Sequence, residues 1–258
     1  MRAILVILAV AVSVFPVQAQ TAAQLIASGD SAYARFDDQA ALAQYKAALA
    51  LEPSNYEALY KASRALVNIA DVITATDKEA GTRQMKLYAD AAVLARQAVA
   101  ANSDGTWGHF LIAAADGKRL LMLGAKKQVD ASREIKAEID KALALDPANH
   151  LAWAARGVWY RRLEEIGRTR RLLGDIFIGP IPKGSYPESE KSLRRAVDLH
   201  PEFVNHYLEL GRTLVDEKKY DEAARAFEQA IDLPKTTSED DILKKQAKAE
   251  LDKLAKRH

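Results

Sequence analysis

Cysteine is absent from the 258 residues. That excludes disulfides, thiolate nucleophiles, cysteine-ligated zinc and lipid attachment at a cleavage-site cysteine, so packing alone must hold the fold. A charge imbalance is also lacking: 37 basic residues meet 35 acidic ones, a formal net charge of +2. Nucleic acid is therefore not expected as a partner. Glycine and proline are few, 12 and 8, and clustered, which leaves long stretches with nothing to break a helix. Catalytic signatures are missing as well. There is no His-Glu-x-x-His and no Gly-x-Ser-x-Gly, and the histidines (109, 150, 200, 206 and 258) never stand at helical i, i+4 spacing. Gly179-Pro-Ile-Pro-Lys-Gly-Ser185 fails as a phosphate loop, because its prolines lack N–H donors and its lysine precedes the last glycine. The expectation is a non-enzymatic protein with no cofactor and no bound metal.

What is present is a helix-forming composition rich in Ala, Leu, Glu, Lys and Arg. The chain opens with one arginine, an apolar run from Ala3 to Phe15 and the small-residue site Val17-Gln18-Ala19. This reads as a signal peptide (1–19) cleaved after Ala19, so an exported, periplasmic or secreted protein is expected, with no transmembrane segment afterwards.

Four later segments resemble one another: KAALALEPSNYEAL from Lys46, KALALDPANHLAW from Lys141, RAVDLHPEFVNHY from Arg195 and QAIDLPKTTSED from Gln229. In each, helix formers run to a leucine, a proline one or two positions on stops the helix, and a new helical pattern begins. This is an array of helical hairpins. The last unit carries Tyr207, Leu210 and Gly211 on one helix and Ala223, Phe227 and Ala230 on the next. The spacing of large and small residues resembles the tetratricopeptide repeat (TPR), and Pro201 and Pro234 stand about one repeat of ~34 residues apart. The first unit fits through Gly29, Ala41 and Tyr45, and the fourth through Gly157, Tyr160, Leu193 and Ala196. Between them the signature blurs; helices are expected near 59–72, 85–101, 107–123 and 131–145. The fold class expected is all-α: a TPR-type solenoid over 20–235 with lengthened middle helices, about eleven in all, closed by a capping helix in 236–258.

One stretch is out of place in such an array. A long basic helix is expected from Arg156 to Gly174, with six arginines against Glu164 and Glu165. A loop, GDIFIGPIPKGSYPE, follows with Ile176, Phe177, Ile178 and Ile181. The loop is expected either to cover the helix's apolar stripe or to gate a binding groove. In the second case Arg161, Arg162, Arg168, Arg170 and Arg171 would meet an anionic group, and Phe177, Ile178, Ile181, Trp153 and Trp159 would line an apolar bed.

The same region resembles the regulator of microtubule dynamics family. It carries Gly157-x-Trp159, then Phe177, Gly179, Pro182 and Tyr186, then Leu233, Pro234, Thr237, Glu239 and Asp240. The resemblance covers roughly residues 90 to 255 and implies a TPR-like helical domain. It also implies lipid binding and transfer by that helical domain; eukaryotic members are tied to mitochondria, the endoplasmic reticulum or microtubules, whereas the leader expected here is of bacterial type, so the resemblance hardly implies microtubule binding. Two functions follow as expectations: a scaffold of the bacterial envelope binding a protein or peptide in its concave groove, or a phospholipid or hydrophobic-ligand carrier using the same groove.

Overall fold

The computed structural model describes residues 20–74, 76–120, 125–177 and 179–256; the side chains of 125, 168–170, 173 and 177 lie outside that description. The leader expected over 1–19 also falls outside the described residues. Everything described is helix, turn or irregular chain: α1 (Ala22–Tyr33), α2 (Asp38–Leu51), α3 (Tyr56–Asp71), α4 (Lys78–Ala101), α5 (Thr106–Leu120), α6 (Ala125–Leu145), α7 (His150–Glu164), α8 (Arg168–Phe177), α9 (Tyr186–Leu199), α10 (Val204–Asp216), α11 (Tyr220–Asp232) and α12 (Asp240–Ala255).

The prolines and asparagines explain the punctuation. Pro53 and Pro147 each stand two residues before an asparagine N-cap: Asn55 accepts from the Ala58 amide and Asn149 from the Ala152 amide, both at 3.0 Å. The proline ends one helix and the asparagine starts the next, satisfying an amide that would otherwise have no partner. Thr21 and Gln24 form a reciprocal capping box at the start of α1.

Successive helices pair as antiparallel hairpins, α1 with α2, α3 with α4, α5 with α6, α7 with α9 and α10 with α11, and each hairpin packs on the next. The chain is thus a TPR-type helical solenoid. Its unit of construction is visible at the eighth residue of each first helix: Gly29, Ser63, Ala113, Gly157 and Gly211, all small and buried. In three units a large side chain from the second helix fills the space. Tyr45 lies on Gly29, Leu193 on Gly157 and Phe227 on Gly211, where a Cβ would stand 2.4 Å from the phenylalanine ring. In the second unit the hydroxyl of Ser63 donates instead to the Ala91 carbonyl at 2.9 Å. Ser63 and Ala113 explain why the repeat signature blurs in the middle of the chain. Ala41, Ala196, Ala223 and Ala230 are fully buried at the matching positions of the second helices.

The basic helix expected across 156–174 is not continuous. α7 stops at Glu164, the chain turns through Gly167 in the left-handed region (φ 70°), and α8 begins at Arg168. A glycine there costs nothing where another residue would be strained. α8 runs on to Phe177, so the first part of the expected loop is helical. This is the twelfth helix, one more than expected.

Candidate functional site

The first helix of each hairpin also touches the first helix of the next, α1 to α3 to α5 to α7 to α10, with α12 following α10. Together they form the inner layer of the solenoid, and polar bridges join them. Lys61 on α3 binds Asp30 on α1 at 2.6 Å, Lys118 on α5 binds Asp71 on α3 at 2.6 Å, and Arg161 on α7 binds Glu209 on α10. Arg212 on α10 reaches Glu209 at 2.5 Å and Gln246 on α12 at 2.8 Å. Beside this charged band runs an aromatic one. Tyr56 meets Tyr60, Tyr60 stacks on Trp107 at 5.7 Å between centroids, and Trp107 meets Phe110 edge-on.

Arg161 is almost wholly buried, bridging Glu209 and Glu165. Burial opposes its charge, but the two carboxylates outweigh that and raise its pKa, while Glu209 is held below the usual carboxylate range. Arg171 donates to the carbonyls of Leu163, Ile181 and Pro182 and so staples α8 to its own loop. Arg162 keeps an exposed head, 3.3 Å from Glu165. Trp153 donates to the Pro147 carbonyl and Trp159 to the Ser132 carbonyl, both at 2.9 Å; Tyr160 is edge-on to Trp159. Ile181 lies against Gly174. The side chains of Arg168, Arg170 and Phe177, and all of Ile178, lie outside the described residues.

The expected apolar stripe is covered unevenly: Leu163 is buried, with Gly184 of the loop against its backbone. Leu172 and Ile176, one turn apart on α8, are 64% and 66% exposed, and among the described residues no helix packs on α8. Gly184 is pressed against the backbone of Glu164, and Arg133 donates to the Pro180 carbonyl, so the insertion is fixed at its base while its outer face stays open.

Three histidines meet where the fourth hairpin joins the fifth. The rings of His150 and His200 stack at 4.5 Å, and His150 Nδ1 shares a proton with His206 Nε2 at 2.7 Å. Burial, and then the neighbouring imidazoles, push His206 down to about 2 and His150 to about 4. His109 is held apart, between Glu138 and the Ser103 carbonyl. Among the described residues no group of His, Cys, Asp or Glu is arranged to hold a metal ion, and no helix is long and apolar enough to cross a membrane.

A further contact escapes sequence reasoning. Between α11 and α12 the chain forms a strap, residues 233–239, that returns to the first hairpins. The Ser238 hydroxyl donates to Asp38 at 2.5 Å, across 200 residues of sequence. Lys235 stands 5.4 Å from the Phe36 ring centroid. Glu239 faces Asp71, the carboxylate that accepts from Tyr88 and Lys118. Two shallow, open depressions mark the surface. An open one of about 510 Å³ between α9, α10 and α11 is rimmed by Arg194, Asp198, Glu222 and Arg225. A smaller one of about 190 Å³ lies beside the strap, among Phe36, Asp38, Ile69, Val72, Ile73 and Ser238.

A family model described as regulator of microtubule dynamics protein 1-3 matches residues 25–255. The bovine (Bos taurus) regulator of microtubule dynamics protein 1 is 25% identical over 207 residues, 80% of this chain and 62% of that one. The rat (Rattus norvegicus) protein of the same name is 26% identical over 125 residues, 48% and 40% of the two chains. This chain therefore spans less than two thirds of either relative. Among solved structures, a thermophilic TPR protein of Thermus thermophilus superposes with a TM-score of 0.64 at 18% identity, covering 90% of this chain and 99% of that one. PilF of Pseudomonas aeruginosa gives 0.53 at 14% identity, covering 92% and 87%. At such identities the likeness shows the fold.

Proposed function

Because this chain belongs to the regulator of microtubule dynamics protein 1-3 family, and its first helices make a continuous inner face, we propose that it is a non-enzymatic scaffold holding an extended protein segment against that face. The observation that carries this reading is an aromatic stack, Tyr60 on Trp107, on the same two helices as the Asp71–Lys118 ion pair. Lys118 is bound to Asp71 at 2.6 Å, at the end of the face away from Trp107. Aromatic rings and charged groups on one set of helices suit a peptide, whose backbone and mixed side chains need both. A lipid carrier would instead call for an enclosed apolar cavity; the depressions between α9, α10 and α11 and beside residue 238 are both open to solvent.

Site-specific photocrosslinking separates the readings. Benzoylphenylalanine replacing Trp107 should trap one polypeptide in the native host, while the same group at Val93, an exposed position on α4, should not. Absence of any polypeptide adduct at Trp107, with phospholipid co-purifying in stoichiometric amount, would overturn the scaffold in favour of the carrier. The site of action is proposed to be the envelope. The protein recovered from the host should then begin at Gln20, and an intact Met1 terminus on cytoplasmic protein would refute export.

A further inference from the structure

The strap holds a conformation fixed at both ends. Buried Asp240 accepts from the amides of Thr236 and Thr237 at 2.7 and 2.9 Å and from the Thr237 hydroxyl at 2.7 Å, while Lys244 donates to the Leu233 carbonyl. α12 packs only on α10 and α11 among the described residues. The tie to the first hairpins is thus made by three strap side chains, Lys235, Ser238 and Glu239, and not by helix packing.

The receiving rim is unusual. Phe36 sits at φ 62° in the turn between α1 and α2. A bulky residue is strained in the left-handed region, at a cost of ~1–2 kcal/mol, where glycine would be at ease. The strain places an aromatic ring, 39% exposed, under the Lys235 ammonium. Beside it Asp38 takes a hydroxyl, and behind it Asp71 and Lys118 take a carboxyl. About 190 Å³ next to Ser238 stays unfilled, with Val72 partly exposed along it.

We propose that the rim formed by Phe36, Asp38, Asp71 and Lys118 is a peptide-binding site that the chain's own strap occupies, and that a partner engages the inner face by displacing the strap with a segment of the same chemistry. That segment carries a basic residue, a hydroxyl residue three positions on and an acidic residue next to it, as Lys235, Ser238 and Glu239 do. The proposal rests on the scaffold reading and adds what the partner must look like. The physical reason is competition: an intramolecular segment enjoys an effective concentration in the millimolar range, so it masks the site until a partner with more contacts arrives.

The test uses the full chain and a fluorescent synthetic peptide copying residues 233–241. In the triple variant Lys235→Ala, Ser238→Ala, Glu239→Ala the rim is vacated, and the peptide should bind at least tenfold more tightly than to the unaltered chain. Adding Phe36→Gly, which relieves backbone strain and so should fold, should abolish that gain. Equal binding to the vacated and unaltered chains overturns the proposal, as does a gain that survives Phe36→Gly. Because the chain has no cysteine, the pair Gln39→Cys and Ser238→Cys, which lies on one depression beside the rim and spares the rim residues, gives a second handle. Oxidised, it should exclude the peptide and suppress the adduct at Trp107; reduced, it should restore both. Undiminished adduct in the locked chain overturns the strap and leaves the scaffold standing. Absence of adduct in both locked and unlocked chains refutes the scaffold, while peptide binding still decides whether the strap site exists.

Discussion

At the residue scale, two features set the chain's tolerance to change. The first is the close approach at the eighth position of the first helices. Gly211→Ala would place a methyl 2.4 Å from the ring of Phe227, which is fully buried and cannot retreat. Overpacking of this kind costs ~1–3 kcal/mol, so chemical denaturation should show a lower midpoint with an unchanged slope. Ala113 occupies the same position in the third unit without a clash, so Ala113→Gly should cost only the ~1 kcal/mol of helix propensity. The second feature is the histidine junction. His150 and His206 are neutral in the fold because burial disfavours their charge, and the unfolded chain would protonate them near pH 6.5. Each contributes stability that is full above pH 6.5 and declines as pH falls toward about 4 for His150. The loss by pH 4 is on the order of 3 kcal/mol for His150 alone. Thermal melts at pH 7 and 4.5 should show this drop, and His150→Asn, which keeps a polar side chain without titrating, should reduce it, leaving the His206 share. An equal drop in the variant would place acid sensitivity elsewhere.

At the element scale, α7 and α10 are joined by the buried Arg161–Glu209 pair, while α8 is held to α7 and the loop by Arg171, and among the described residues no helix packs on it. Glu209→Ala should cost ~3–5 kcal/mol, because it leaves the Arg161 guanidinium buried with Glu165 alone. Arg161→Met with Glu209→Leu together should restore most of that, since removing both charges removes the desolvation cost as well. By contrast, Leu172→Asp with Ile176→Asp should leave the melting temperature unchanged within about 1 °C, as both side chains already face solvent. A fall of several degrees would mean that α8 packs on something through that face. These elements also show what the sequence could and could not reveal. Proline after a leucine marked helix ends, and glycine opposite a large residue marked the first, fourth and fifth units. Ser63 and Ala113 obey the same rule with different residues, so the middle units lacked the signal while keeping the physics. Gly167 was a legible break that the run of helix-favouring arginines on both sides obscured.

At the scale of the whole molecule, the curvature of the solenoid decides what the inner face meets, and that was not legible at all. Curvature sums small rotations between neighbouring hairpins, and no local pattern announces that residue 238 will reach residue 38. Closure brings like charges together. Glu239 faces Asp71 from α3, with Tyr88 from α4, Lys118 from α5 and Asp240 from its own turn around them, and Glu209 from α10 acts on Lys118. Burial, and then the Asp71 carboxylate, push Glu239 up to about 8 from its usual 4.5, which Lys118 only partly opposes. A freed strap would return Glu239 to its ordinary value, so docking takes up a proton between those limits. The strap's contribution is therefore complete below pH 4.5 and lost as pH rises through 8. Spin labels at Gln39→Cys and Thr236→Cys should report one short distance at pH 6.5 and a broad, longer distribution at pH 9. Glu239→Gln, neutral at every pH, should keep the short distance throughout. A wild-type distribution that ignores pH, or a glutamine variant that opens with it, would show that this carboxyl does not govern the closure.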